Sequence, residues 1–405
     1  MAKAKLLKKG LIFIVCGLLL PCSTITATST IQEPQQIHID ESENLIPNLD
    51  VTGYTLINQS SNTILASQND QVKLPPASLT KLMTLFIAYD YIEKGLVNPH
   101  EKVHISKKAW KVEGSRMFVE PNSEVELELL LKGISVVSGN DASIAVAEHI
   151  AGTETNFVKI MNKKAHDLNL HNTHFENSTG LPHPKHLSTP HDMSILASNL
   201  ITQHPSILKH TKDKTMTYKK ITQHNRNKLL WSDETVFGLK TGHTKEAGYC
   251  LVASAERDNQ IIIATVFGAK SEKGRDIAIK KLLNHAQNGF QNITIADDKK
   301  IPNIPIWYGL EKQIKPQMQT QIQLSVPLHM KQKIRSQVNL PKELKAPLEK
   351  GQIIGNYEIY TAEKLTHKTN LIAAQEVKPQ NSIRQLLEWI IYQTVWLLSL
   401  FSSSV

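Results

Sequence analysis

Cysteine is almost absent: three residues in a chain of 405 cannot build a disulfide framework. Long apolar runs are missing too, since no stretch reaches the roughly 20 residues that a membrane-spanning helix needs. Neither an internal repeat nor a low-complexity tract occurs, which excludes a collagen-like chain. No acidic residue precedes Glu33. What remains is ordinary in composition, 40% hydrophobic and 20% charged, and disorder throughout is excluded. The length allows two or three domains at the usual size of roughly 100–200 residues. Lys and Arg outnumber Asp and Glu by 46 to 37, a formal surplus of +9. A nucleic-acid binder carries such a surplus, so its location matters.

Four of those charges, Lys3, Lys5, Lys8 and Lys9, precede an apolar run from Leu11 to Leu20. Pro21 and the small or polar stretch Cys22 to Ala27 follow. A basic start, a short apolar core and a small-residue exit predict a secretory signal peptide over 1–27. Cleavage near Ala27 removes Cys16 and Cys22 and leaves Cys250, so no internal disulfide can form. It also lowers the surplus from +9 to +5. Nucleic acid is therefore not an expected partner. At the other end, Asn381 to Val405 contains only two charged residues, Arg384 and Glu388. At helical spacing Asn381, Arg384, Gln385, Glu388, Tyr392, Ser399 and Ser403 share one narrow arc, and apolar residues including two tryptophans cover the rest. This pattern predicts an amphipathic helix over 381–405 lying on a membrane surface.

Between the ends, the polar stretch 28–44 reads as a linker. Gly53 to Ile57 and Thr63 to Ala66 predict a hairpin. Ser78 to about Glu93, closed by Gly95, has apolar residues at helical spacing and on its opposite side, so the helix is expected to be buried nearly all round. Ala142 to Ile150 reads as helix, 236–241, 248–255 and 260–267 as strands, and Asp276 to Ala286 as helix. Strands, a helical middle and strands again predict an α+β domain over 45–290, an antiparallel sheet layered with helices. From about Asn292 short alternating runs punctuated by prolines predict a small all-β domain over 291–380.

The chemistry begins at Ser78-Leu79-Thr80-Lys81. Residues three apart on a helix share a face, so hydroxyl and amine can meet. A serine needs a base beside it, and a lysine serves as one once burial lowers its pKa. The pattern alone is weak, because Ser206-Ile207-Leu208-Lys209 repeats it. Ser138-Gly139-Asn140 precedes the helix starting at Asp141, although Ser-x-Asn also occurs at Ser42, Ser60 and Ser67. Lys240-Thr241-Gly242 occurs once, on the first of the three late strands, where Gly242 would let a substrate backbone come close.

The three in this order match the Ser-x-x-Lys, Ser-x-Asn, Lys-Thr-Gly set of penicillin-binding proteins and class A β-lactamases. With Pro76-Ala77 before Ser78, Asp141-Ala142 after Asn140, Asn225-Arg226-Asn227, and His243-Thr244 after Gly242, the chain resembles the serine D-alanyl-D-alanine carboxypeptidases, low-molecular-mass penicillin-binding proteins. The resemblance implies a transpeptidase/β-lactamase-like domain with a helical subdomain, followed by the small β domain and the anchor. It implies that Ser78 attacks the bond between two terminal D-alanines of peptidoglycan stem peptides, with Lys81 as base. Ser138 and Asn140 would relay protons and orient the substrate. Lys240, Thr241 and Gly242 would bind it, with Arg226 in support, and the N–H groups of Ser78 and His243 would form the oxyanion hole. β-Lactam antibiotics would trap Ser78. No cofactor or metal is implied, and the expected place is the periplasmic face of the bacterial inner membrane.

A β-lactamase would need a deacylating Glu-x-x-x-Asn, which is not evident where the chain reads His166-Asp167-Leu168-Asn169. A D,D-endopeptidase of the same superfamily generally lacks the β domain and anchor. His171, His174, His183, His186 and His191 crowd one stretch and raise zinc as a weaker alternative, but no His-Glu-x-x-His helix accompanies them. Asp192 matches a family position near the active site and is given a supporting role. A non-enzymatic wall-binding module is disfavoured by three intact motifs.

Overall fold

The computed structural model describes residues 35–36, 49–295, 301–361 and 363–402. The signal peptide expected over 1–27, all of the 28–44 linker but Gln35 and Gln36, and Ser403 of the polar arc lie outside the described residues.

The expected hairpin forms from β1 (Gly53–Asn58) and β2 (Thr63–Gln68). The helical middle comprises α1 (Lys81–Glu93), α2 (Leu127–Val137), α3 (Asn140–Ala151), α4 (Glu154–Asp167) and α5 (Pro190–Gln203). Three long strands follow, β3 (Val236–Thr244), β4 (Gly248–Arg257) and β5 (Gln260–Ala269), and then α6 (Glu272–Gly289). The strands pair in the order β2-β1-β5-β4-β3, with Gln35–Gln36 added in parallel outside β2. The pairs among β1 to β5 are antiparallel, and the strand order brings the first and last of these five strands together at β1 and β5, where Leu56 faces Ala264. Ile261-Ile262-Ile263 lacks polar alternation because helices cover both faces of β5. On one face α6 buries Ala278, Ile279, Leu282 and Leu283 against Leu56, Leu251, Ala253 and Val266. On the other, α5 crosses β5, and Ser194 Oγ donates to Thr265 Oγ1 at 2.7 Å.

Helix α1 is enclosed by α3, α4 and α5, and every residue from Lys81 to Tyr89 is buried. That enclosure is why its sequence has no polar face. Helix α6 starts four residues earlier than its apolar spacing predicts, because Ser271 caps it by accepting from Gly274 N–H at 3.0 Å.

The second unit is all-β. Strand β6 (Phe290–Ile295) pairs with β7 (Ile322–Pro327), and β8 (Ile334–Asn339), β9 (Ile353–Thr361) and β10 (Lys364–Ala373) form a sheet with Pro316–Met318. Leu324, Val326, Tyr357, Ile359 and Leu371 supply one of its cores. The two units join without a spacer, since β6 begins at the residue after α6 ends. A buried polar cluster also ties them: Asn58 Nδ2 donates to Ser325 Oγ at 2.6 Å and to Asn292 Oδ1 at 3.0 Å, and Ser61 Oγ lies 3.0 Å from Ser325 Oγ.

Helix α7 (Ser382–Ser402) ends the described chain. Three residues of its polar arc, Gln385, Glu388 and Tyr392, face the β domain. Glu388 accepts from Tyr308 N–H at 2.7 Å, from Gln380 Nε2 at 2.9 Å and from Lys312 Nζ, and Tyr392 packs edge-on against Trp307. Ile383, Leu386, Leu387, Trp389, Ile390 and Ile391 are each at least half exposed. Among the described residues no helix is long and apolar enough to cross a membrane.

Candidate active site

Ser78 sits in a 3₁₀ turn, Ala77–Thr80, that runs directly into α1. That turn brings its hydroxyl within 3.1 Å of Lys81 Nζ. The amine also donates to Asn140 Oδ1 at 2.7 Å and to the Thr179 carbonyl at 2.6 Å. Its side chain is 0% exposed. Burial pushes its pKa down to about 7; the Asp141 carboxylate opposes the shift and the Arg226 cation adds to it. With its two N–H groups held by Asn140 and Thr179 and a near-neutral pKa, the amine can turn its lone pair to Ser78 and is a workable base. The repeat at Ser206 to Lys209 shows the contrast: both end residues are exposed, and Lys209 pairs with Glu128 at 2.5 Å, which raises its pKa.

Ser138 and Asn140 arrive from the turn between α2 and α3. Ser138 ends α2 with φ +60°, a left-handed conformation that turns the chain back at once. Its hydroxyl is buried without a hydrogen-bond partner among the described residues. Asn140 opens α3 and is held by Nδ2 donating to the Glu113 carbonyl at 2.6 Å, which aims Oδ1 at Lys81. Asp141 braces the loop opposite, accepting from Met117 N–H at 3.0 Å and Phe118 N–H at 2.9 Å.

Strand β3 is the edge of the sheet, with one side paired to β4. Thr241, Gly242 and His243 line a cavity of about 300 Å³ that also touches Ser78, Ser115, Ser138, Arg226, Tyr249, Glu272 and Arg275. The expectation for Gly242 needs correcting. A Cβ there would meet Pro76 O at 3.1 Å and Ala77 Cβ at 3.3 Å, so the missing side chain admits the turn carrying Ser78 rather than a substrate backbone. Lys240 is buried beneath the cavity wall, and its amine donates to the Thr241 carbonyl at 2.8 Å. Burial holds its pKa well below the usual lysine value, with Lys81, Arg226 and Arg275 adding to the effect. In this geometry Lys240 reaches the cavity through Thr241. Arg226, expected behind the site, lines the cavity directly, carried between the buried Asn225 and Asn227. Asp192 does not line it; it sits in the first turn of α5, where Thr189 caps the helix by accepting from its N–H at 3.0 Å, and its carboxylate accepts from Asn172 N–H at 2.9 Å and Thr173 Oγ1 at 2.7 Å. In the histidine-rich stretch, His186 is buried, whereas His171, His174 and His183 are exposed.

The sequence reading missed Arg275, which is buried at the cavity wall and bonded to Asp276 at 2.7 Å. The signal was topological. Three antiparallel strands put the end of β5 beside the end of β3, since Tyr249 pairs with both His243 and Ala269, so the first turn of α6 must start at the cavity. Two arginines on one wall suit a carboxylate.

Comparison with known proteins decides the family. The model for D-alanyl-D-alanine carboxypeptidases matches residues 40–271. The chain belongs to this family. The C-terminal domain of penicillin-binding protein 5 matches residues 290–379. The D-alanyl-D-alanine carboxypeptidase DacA of Haemophilus influenzae is 35% identical over 353 residues, covering 85% of this chain and 90% of that relative. The crystal structure of penicillin binding protein 5 from Haemophilus influenzae superposes with a TM-score of 0.76 at 35% identity, covering 82% of this chain and 98% of that one. Penicillin-binding protein D2 of Listeria monocytogenes, solved with ampicillin bound, matches at 29% identity and a TM-score of 0.54 over 59% of this chain and 98% of its own. The chain is thus a serine D-alanyl-D-alanine carboxypeptidase of the cell wall, with the expected α+β domain and all-β C-terminal domain.

Proposed function

We propose that the enzyme is exported and trims the terminal D-alanine from pentapeptide stems, with Ser78 as nucleophile and Lys81 as base. The contact of 3.1 Å between Lys81 Nζ and Ser78 Oγ, with the amine near neutral pKa, carries this reading. Lys81 takes the hydroxyl proton as Ser78 Oγ bonds to the carbonyl carbon of the scissile amide. The N–H groups of Ser78 and His243 receive the developing oxyanion. The C–N bond then breaks, and the proton that Lys81 took passes through the Ser138 hydroxyl to the leaving amine, with Asn140 orienting the lysine and the substrate. The departing D-alanine carboxylate rests against Thr241, Arg226 and Arg275. Water hydrolyses the ester and restores Ser78. A β-lactam enters by the same attack but retains its amine in the ring remnant. The ampicillin held by the Listeria relative supports that outcome.

The direct test is to incubate residues 45–380 with a pentapeptide muropeptide and weigh the products. Loss of one alanine is expected. A split cross-link would instead mark an endopeptidase, and unchanged substrate would contradict both.

We also infer that α7 holds the enzyme on the outer, periplasmic face of the inner membrane. Docking of its polar arc on the β domain leaves the apolar side outward, which supports insertion of that side among lipid headgroups. A helix packed on the protein's own core would show the opposite orientation. Removing 381–405 is expected to move the protein from the membrane pellet to the supernatant while activity on soluble muropeptides stays within about twofold, since the helix lies outside the catalytic domain. Retention in the pellet would place the anchor elsewhere.

A further inference from the structure

Gly180 stands against the carbonyl oxygen of Ala77: a Cβ at position 180 would lie 1.8 Å from it. The same oxygen accepts a hydrogen bond from Thr80 Oγ1 at 2.8 Å. The peptide unit between Ala77 and Ser78 is therefore clamped from two sides. Ala77 needs that support, because its φ of +46° is a conformation that a residue with a Cβ keeps only where its surroundings hold it.

Thr80 Oγ1 also lies 2.9 Å from His186 Nε2. A hydroxyl has one proton to give. Here it goes to the Ala77 carbonyl, which can only accept, so His186 Nε2 must carry hydrogen and donate to Thr80. His186 Nδ1 is then the bare nitrogen, and it accepts from Glu176 N–H at 3.3 Å, a group that can only donate. Both contacts demand the same neutral tautomer. Burial favours it as well, lowering the ring's pKa to about 4 against the pull of Glu176 and with the help of His174, His183 and Lys81. Phe175 packs edge-on against the ring.

The outcome is a one-way chain of donors from Glu176 N–H through His186 and Thr80 to the Ala77 carbonyl. Hydrogen bonds aligned in this way polarise one another. The final acceptor belongs to the amide that bears the Ser78 N–H. We propose that Thr80 and His186 are positioning residues that orient the Ala77–Ser78 peptide and strengthen its N–H as a donor to the oxyanion formed during acylation. Neither side chain lines the cavity beside Ser78, and His186 borders a separate hollow with Ala77 and Gly180, so the proposed route to the oxyanion runs through that peptide. The inference rests on the proposed oxyanion hole.

The test uses the full chain and a penicillin labelled with ¹³C at the β-lactam carbonyl. The acylation rate is followed by quenched flow, and the ester carbonyl band of the acyl-enzyme by isotope-edited infrared spectroscopy. Thr80→Val and His186→Phe break the donor chain at separate points. Thr80→Ser and His186→Gln keep a donor at each. Acylation is expected to slow roughly tenfold in the first pair, less than deletion of an oxyanion donor would cost, and their ester band should move to higher wavenumber. The second pair should stay near wild type. A band that does not move, or an acylation loss that only tracks loss of folded protein by circular dichroism, would overturn the proposal. Failure of the underlying reading is visible separately, because the wild-type band would then already sit where it sits in denatured acyl-enzyme.

Discussion

Replacing Ser78 by alanine is expected to lower D-alanine release by at least about 10⁴-fold and to leave no covalent penicillin adduct. Ser78 Oγ is the atom on the cavity wall that Lys81 bonds to, and the change removes that atom alone. Alanine is compatible with the short turn, so folding should survive, and circular dichroism would check it. The cavity, Arg226 and Arg275 would remain, so a non-covalent complex with the muropeptide should still form. Intact-mass measurement after exposure to penicillin gives the readout. A persisting adduct would mean that another group is acylated, and a rate within tenfold of wild type would remove Ser78 from the mechanism.

The second large effect concerns Lys81. Its conversion to methionine is expected to slow acylation by roughly 10²–10⁴-fold, the usual contribution of a positioned base. In the wild type only the neutral amine can take the Ser78 proton. Acylation should therefore rise with pH, about tenfold per unit at low pH, and level off above the folded pKa of about 7. Stability follows the same titration. The folded pKa lies below the unfolded value of about 10.4, so between pH 7 and 10 the unfolded chain binds the extra proton and stability rises with pH. Below pH 7 that gain is absent. The methionine variant should lose the rate plateau and this part of the stability slope together. Chemical denaturation at pH 7 and pH 9.5 would measure the slope, and equal slopes in the two proteins would show that Lys81 is charged when folded.

Much of this was open to sequence reading because it depends on local pattern. The all-round apolar spacing of α1 required a buried helix, and burial is what brings the Lys81 pKa down to about 7. The decoys Ser60-Ser61-Asn62 and Ser206 to Lys209 have the right spacing and lack the enclosure. What stayed hidden depends on residues far apart in the chain. Alanine has no preference for φ +46°, and nothing near Ala77 calls for it; the demand comes from Thr80 together with Gly180, which lies on a distant loop. Arg275 resembles any arginine in a helical first turn until the strand order brings that turn to the cavity. Gly242 suggested access for a substrate because the sequence could not show the Pro76–Ala77 turn pressing on it. Asp192 carried a family signal whose physical job is to fix the loop at Asn172 and Thr173 from the first turn of α5.

The polar knot at Asn58, Ser61, Asn292 and Ser325 has a consequence for how the molecule comes apart. Asn58, Ser61 and Ser325 are buried and the half-buried Asn292 joins them across the boundary, so peeling one domain away would strand hydrogen-bonding atoms on both surfaces at a cost of about 1–3 kcal/mol for each buried one. With β6 following α6 directly, there is no slack to soften that penalty. The catalytic and β domains are therefore expected to melt in one event, which a single calorimetric transition would check.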